Sequence, residues 1–197
     1  MASASKNPSV LIPIANGSEE MEAIIIADVL RRAEAQVTLA SVEETTQVIC
    51  SRGVNIVADK LIGECAEEQF ELIALPGGMP GAQNLADSEM LSSILKKHQA
   101  SDKPLAAICA APQVVLNTQG YLEGRHATAH PAFSDKLGNQ ERVSDRVVID
   151  GNIITSRGPG TAMEFALTIV GRLFGPDKMK QVAGPMVMHS DWDTFVA

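Results

Sequence analysis

Cys109 is placed for chemistry by its neighbours. The run Leu105-Ala106-Ala107-Ile108 reads as a buried strand, and Ala110-Ala111-Pro112 opens a helix directly after the cysteine. A side chain at such a junction is held at the sheet edge, as in a nucleophile elbow. The small residues Ala107, Ala110 and Ala111 leave room for a tight turn. Pro112 fits a first helical turn, where its missing N–H is no loss. A helix N-terminus lowers a thiol pKa, and the thiolate is the nucleophile. The Ala110 N–H, with one from Gly77-Gly78, is suited to hold a developing oxyanion. The competing reading is a structural cysteine on a core strand.

The other two cysteines have weaker claims. Cys50 falls in a short ribbon and is expected to be partly exposed or at a subunit contact. Cys65 lies beside Glu64 and Glu67, where like charge disfavours a thiolate. Three cysteines cannot all pair within one chain, and none forms Cys-x-x-Cys, so neither a thioredoxin motif nor a zinc ribbon is present.

The elements that position Cys109 alternate between strand and helix. Val10–Ile14 reads as a buried strand, and Asn16-Gly17-Ser18 ends it. A helix follows with apolar Met21, Ile24, Ile25 and Val29, with Ser18 as its expected N-cap. Glu19, Glu20 and Glu22 suit its positive end, and Arg31 and Arg32 its negative end. Strands are expected at 37–42 and 72–75, and at 104–108. Residues 48–49 and 54–57 flank a turn and suggest a β-ribbon, and Asp150-Gly151 centres a hairpin. Ser88 caps a helix to about His98, another runs from Gly158–Thr161 to about Phe174, and the last lies near 177–182. Such alternation implies βαβ units and a mostly parallel sheet covered on both faces. Ligands bind beyond the carboxyl ends of strands in such sheets. Loops 15–22, 76–81, 109–112 and 157–161 each follow a strand, which brings several to one edge.

Composition narrows the function. The 197 residues are 45% hydrophobic, which excludes a disordered chain. Sixteen Lys and Arg against 24 Asp and Glu give a net charge of −8, which argues against nonspecific nucleic-acid binding. No apolar run approaches the roughly 18 residues of a membrane span. No signal-peptide core is seen, so the expected location is a reducing compartment, the cytoplasm, with plastid or nucleus as alternatives.

Several blocks together resemble a known family. They are Asn16-Gly17-Ser18-Glu19-Glu20-Met21-Glu22, Cys50-Ser51-Arg52-Gly53, Leu75-Pro76-Gly77-Gly78 with Gly81-Ala82, Ala107–Pro112, His130-Pro131 and Thr155–Thr161. In this order they resemble the ThiJ/PfpI superfamily, in its parkinsonism-associated deglycase and glutathione-independent glyoxalase branch. The segments 27–33 and 59–64 look most like plant and algal members. The resemblance covers roughly residues 9 to 188, expected as one domain between a flexible 1–8 and a tail, 189–197, bearing Trp192 and Phe195. Plant relatives often carry two such domains in tandem; this chain has one, which leaves open whether it is whole or a fragment.

The resemblance implies an α/β, flavodoxin-like three-layer sandwich that forms homodimers and needs no cofactor or metal. It places the reactive thiol at Cys109, its partner carboxyl at Glu22, oxyanion donors at Gly78 and Ala110, and the active-site histidine at His130. Asp28, Arg32, Arg52 and Pro159 fall at the dimer interface, the two arginines as anion contacts. An ionised Glu22 would raise the thiol pKa, whereas a protonated one would donate to the thiolate, so a neutral Glu22 is expected. First-turn dipole complementation is the alternative role for Glu22. His130 is expected at the end of a short 127–129 strand, where a hydrogen-bonded structural role competes with catalysis. His98, His126 and His189 read as surface residues. Asp28 falls on the apolar side of its helix and calls for a buried partner or a subunit boundary. The implied activity is conversion of small 2-oxoaldehydes, or their early glycation adducts, to hydroxy acids. A redox-sensing chaperone is the runner-up. A cysteine peptidase ranks lower, because Ala110 stands where PfpI-type peptidases carry histidine.

Overall fold

The sheet is built from short apolar runs that bury both of their faces. Alternate residues of β1 (Ser9–Ile14), β6 (Leu72–Leu75) and β7 (Leu105–Ile108) enter two different cores. Val10, Ile12, Ile14, Leu72, Ala74, Ala106 and Ile108 face one layer; Leu11, Ile73, Leu75, Leu105 and Ala107 face the other. This period of two, apolar on both sides, is what a covered parallel sheet requires. The computed structural model describes residues 7–193. Residues 1–6 of the expected flexible start, and Phe195 of the expected tail, lie outside them. Pro8 is not loose: its carbonyl accepts from Gln36 N at 2.9 Å.

Adding β2 (Gln36–Ser41), β5 (Lys60–Leu61), β8 (Val147–Asp150) and β9 (Ile153–Ser156) gives a seven-stranded sheet, ordered β5-β2-β1-β6-β7-β9-β8. All neighbours are parallel except the β8–β9 hairpin. The expected mostly parallel α/β sandwich is the observed fold. One layer holds α1 (Glu20–Arg32), α5 (Ala162–Phe174) and α6 (Pro176–Ala183). The other holds α3 (Glu89–Ala100) and most of α2 (Gly81–Asp87). Ile26 and Leu30 of α1 are fully buried, each worth roughly 1.5–3 kcal/mol of apolar burial. Among the described residues no helix is long and apolar enough to cross a membrane.

Some local expectations fail for physical reasons. The N-cap of α1 is Glu19, whose carboxylate accepts from Glu22 N at 2.7 Å, while Ser18 Oγ turns back to Ala15 N at 3.0 Å. Helix α2 had no periodic signal, because it opens on Gly81-Ala82. Residues 127–129 do not join the sheet; Thr128 N is satisfied by the Thr155 hydroxyl at 2.9 Å. His98 is buried and bonds Pro104 O at 2.8 Å, so it is not a surface residue. Cys50 is buried at 4% exposure rather than partly exposed. The acidic neighbours acting on Cys65 are Glu68 and Glu64, not Glu67, though burial is the larger effect. Trp192 of the expected tail packs on the core, and His189 Nε2 lies 3.0 Å from Glu164 Oε1.

Candidate active site

β1 and β6 are the adjacent strands from which the chain winds outward in opposite directions, and their carboxyl ends, with that of β7, form a crevice. Cys109 sits there, one residue beyond β7. Its φ is +66°, a left-handed conformation that costs a residue with a Cβ about 1–2 kcal/mol. Two backbone bonds hold it: Cys109 N donates to Ser156 O at 3.1 Å, and His130 N donates to Cys109 O at 2.8 Å. The helix that follows, Pro112–Asn117, is a wide π-type turn with proline at its start. The elbow expected from the sequence is therefore present.

Glycine makes the approach of the next loop feasible. A Cβ on Gly77 would fall 2.6 Å from Cys109 Cβ. Gly78 has φ +85°, and a Cβ there would lie 2.4 Å from Glu19 N and 2.6 Å from Gly17 O. Gly78→Ala should therefore cost roughly 2–5 kcal/mol, from left-handed strain plus overpacking. Urea denaturation measures this, and a loss below about 1 kcal/mol would show a looser loop than described.

Glu22 is fully buried, and its Oε2 accepts from Gly77 N at 2.7 Å. The Gly77 N–H is thus consumed by the acid, which corrects its expected role as an oxyanion donor. The N–H groups of Gly78 and Ala110 act on the Cys109 sulfur. Glu22 Oε1 is shielded and makes no hydrogen bond of ordinary geometry. The Cys109 thiol is the polar side chain that bears on this carboxyl. Burial pushes the Glu22 carboxyl up to about 7, the Glu19 charge adds to this, and the Gly77 N–H and the thiol oppose it.

The thiol departs from expectation. Burial first, and then the charge of Glu22, push Cys109 up to about 12, against the N–H groups of Gly78 and Ala110. The Ala110 N–H at the start of the helix lowers it, but burial and the Glu22 charge outweigh that effect. Two acids this close titrate as a pair. A thiolate there requires the proton to reside on Glu22, which removes the opposing charge and supplies a donor. Glu20, also buried, behaves oppositely. Despite its desolvation, its own backbone N–H, the Ser51 hydroxyl (2.8 Å) and the Arg52 N–H (2.8 Å) hold it below the usual carboxylate range.

The remaining predicted residues divide. His130 N-caps α4 (Pro131–Ser134), its Nδ1 accepting from Ala132 N at 3.1 Å, which leaves Nε2 for a ligand. It shares a bay with Pro159, Arg146 and Arg157 beside the elbow. Among the described residues no histidine nitrogen hydrogen-bonds the Cys109 sulfur. Asp28 has no buried partner: it is exposed and pairs with Arg32 Nε at 2.6 Å along the helix. Arg52 is exposed on the ribbon turn. Sequence reasoning passed over Thr161, whose Oγ1 meets Ser156 Oγ at 2.6 Å and accepts from Arg157 N and Gly158 N at 3.2 Å. This hydroxyl shapes the loop beside His130. Its motif was visible, but nothing in the spacing marked a buried hub.

Residues 8–172 match the DJ-1/PfpI family. Protein DJ-1 homolog B of Arabidopsis thaliana is 49% identical over 176 residues, covering 89% of this chain and 40% of that protein. The chain thus spans under half the length of that plant relative. Glutathione-independent glyoxalase DJR-1.2 of Caenorhabditis elegans is 38% identical over 187 residues, covering 94% of this chain and 98% of that one. The oxidized form of Toxoplasma gondii DJ-1 superposes with a TM-score of 0.89 at 47% identity, covering 91% of this chain and 98% of that one.

Proposed function

The chain belongs to the DJ-1/PfpI family, and from that premise and the site geometry we propose that it is a glutathione-independent glyoxalase and deglycase. The observation that carries this reading is the pairing of Cys109, on a strained elbow, with a buried Glu22 that keeps its proton up to about 7. A nucleophile and a proton-transfer group are thereby held together in one cleft.

The chemistry balances without a cofactor. The Cys109 sulfur adds to the aldehyde carbon of methylglyoxal, and the new oxyanion, held by the Gly78 and Ala110 N–H groups, takes the Glu22 proton. The hemithioacetal then loses its C1 proton to the Glu22 carboxylate, giving an enediolate; that proton returns at C2 while the C1 hydroxyl proton passes to the C2 oxygen. The thioester that results is cleaved by water to lactate and free thiol. Glyoxal would give glycolate, and early glycation adducts would follow the same route. His130 Nε2 is available to orient the second oxygen. The same reading includes a homodimer, supported by exposed Met21 and Ile24 on α1 and Ile49, Val54 and Val57 on the ribbon. Purified protein should consume methylglyoxal without glutathione and release lactate. A rate equal to that of buffer would end this reading.

A second reading, redox sensing at Cys109, is favoured by the protonated acid beside the sulfur, which would hydrogen-bond a sulfinate. Mass spectrometry after mild peroxide distinguishes it: selective dioxidation of Cys109 with negligible aldehyde turnover favours sensing.

A further inference from the structure

At the amino ends of β7 and β9, opposite the Cys109 cleft, lies a cavity of about 150 Å³. A cavity of this size holds a molecule of about six non-hydrogen atoms. Its polar lining comes from Gln99 in the last turn of α3, Asp102 just beyond it, Lys103, Tyr121, Arg125, and Asn152 of the hairpin. Tyr121 is 5% exposed, and its hydroxyl is shielded with no hydrogen-bond partner among the described residues. Buried hydroxyls are nearly always satisfied, so this one calls for an acceptor.

The lining is rich in donors. Arg125 Nη1 donates to Asp150 O at 3.1 Å, and Lys103 Nζ lies 3.1 Å from Glu71 Oε1. Each cation carries further N–H groups beyond these. Asp102 is the one carboxylate in the lining, and its Oδ1 accepts from Asn152 Nδ2 at 3.1 Å. Two cations thus stand against one partly committed acid. Asp150 and Glu71, outside the lining, already offset part of the cationic charge, which disfavours a dianion such as phosphate.

We propose that this cavity binds a small monocarboxylate, one oxygen accepting from the Tyr121 hydroxyl and the other from the Arg125 guanidinium. The site is independent of the reading of the Cys109 cleft. Tyr121 is the only tyrosine in the chain, so ring-labelled tyrosine reports on it alone in an NMR spectrum. Acetate, titrated into the full chain at pH 7 and constant ionic strength, should shift that ring along a saturable curve with a millimolar Kd. Tyr121→Phe deletes no protein hydrogen bond, so its thermal midpoint without acetate should match wild type. It should weaken acetate binding severalfold, read at the Leu105 and Ile153 amides. No saturation by about 50 mM acetate, the outcome for a cavity that takes only water, would overturn the proposal. So would equal shifts with chloride or phosphate, or unchanged affinity in Tyr121→Phe.

Discussion

Cys109→Ala is expected to lower methylglyoxal turnover by at least about a thousandfold, as removal of a sole nucleophile does. No other thiol can substitute. Cys50 and Cys65 are buried too, but neither stands on the elbow beside the Glu22 proton donor and the Gly78 and Ala110 N–H groups that act on Cys109. The fold should survive, because alanine keeps the Cβ and the backbone bonds to Ser156 and His130 are untouched. Cys109→Gly is the sharper control. Relief of the φ +66° strain should stabilise it against the alanine variant by about 1–2 kcal/mol, while it stays inactive. Steady-state lactate formation and urea denaturation measure the two effects. A variant retaining a tenth of the wild-type rate would remove Cys109 from the mechanism.

Glu22→Gln should cost about 10²–10⁴ in kcat/KM, the range for loss of a positioned acid–base group. Its effect on stability has the opposite sign at alkaline pH. Folding raises the Glu22 carboxyl from 4.5 to about 7. Its contribution to stability is therefore complete below 4.5 and is lost as pH rises through about 7. Above that, an ionised Glu22 leaves the fold about 3 kcal/mol less stable than a neutral one would. Glutamine stays neutral and can keep the Gly77 N–H bond through its amide oxygen. The variant should thus match or exceed wild-type stability at pH 8, yet turn over almost nothing. Denaturation midpoints at pH 5 and 8, measured beside the pH profile of kcat/KM, test both parts. Parallel loss of stability and activity at both pH values would make Glu22 structural.

The sheet was legible because runs such as Leu72–Leu75 and Leu105–Ile108 are apolar on both faces, a pattern that leaves few alternatives to a covered strand. The elbow was legible from the small residues around Cys109. The identity of its acid was not. Glu19, Glu20 and Glu22 are equivalent as a first-turn charge pattern, and only tertiary packing separates them. Glu19 caps, Glu20 is held ionised by the ribbon, and Glu22 is stripped of water beside the thiol. The upward push on the Cys109 thiol was missed for the same reason. A helix terminus can be read from sequence, but desolvation by the Gly77-Gly78 loop depends on residues more than thirty positions away. Helical spacing puts Asp28 on a shared face but does not say what covers it; within the chain it has only its exposed pairing with Arg32, as a subunit-boundary position would.

The ribbon of β3 (Gln47–Ile49) and β4 (Asn55–Val57) is tied by its backbone to the loop that leads into the acid. Gly17 N donates to Ile49 O at 2.8 Å, Ser51 N to Ser18 O at 2.9 Å, and Glu19 N to Gly77 O at 2.9 Å. Ile49 and Val57 turn outward on that ribbon. A replacement that shifts the ribbon to suit a new neighbour also shifts the loop under Glu22. A load placed on the outer face is thereby transmitted through the main chain to the loop that holds the acid.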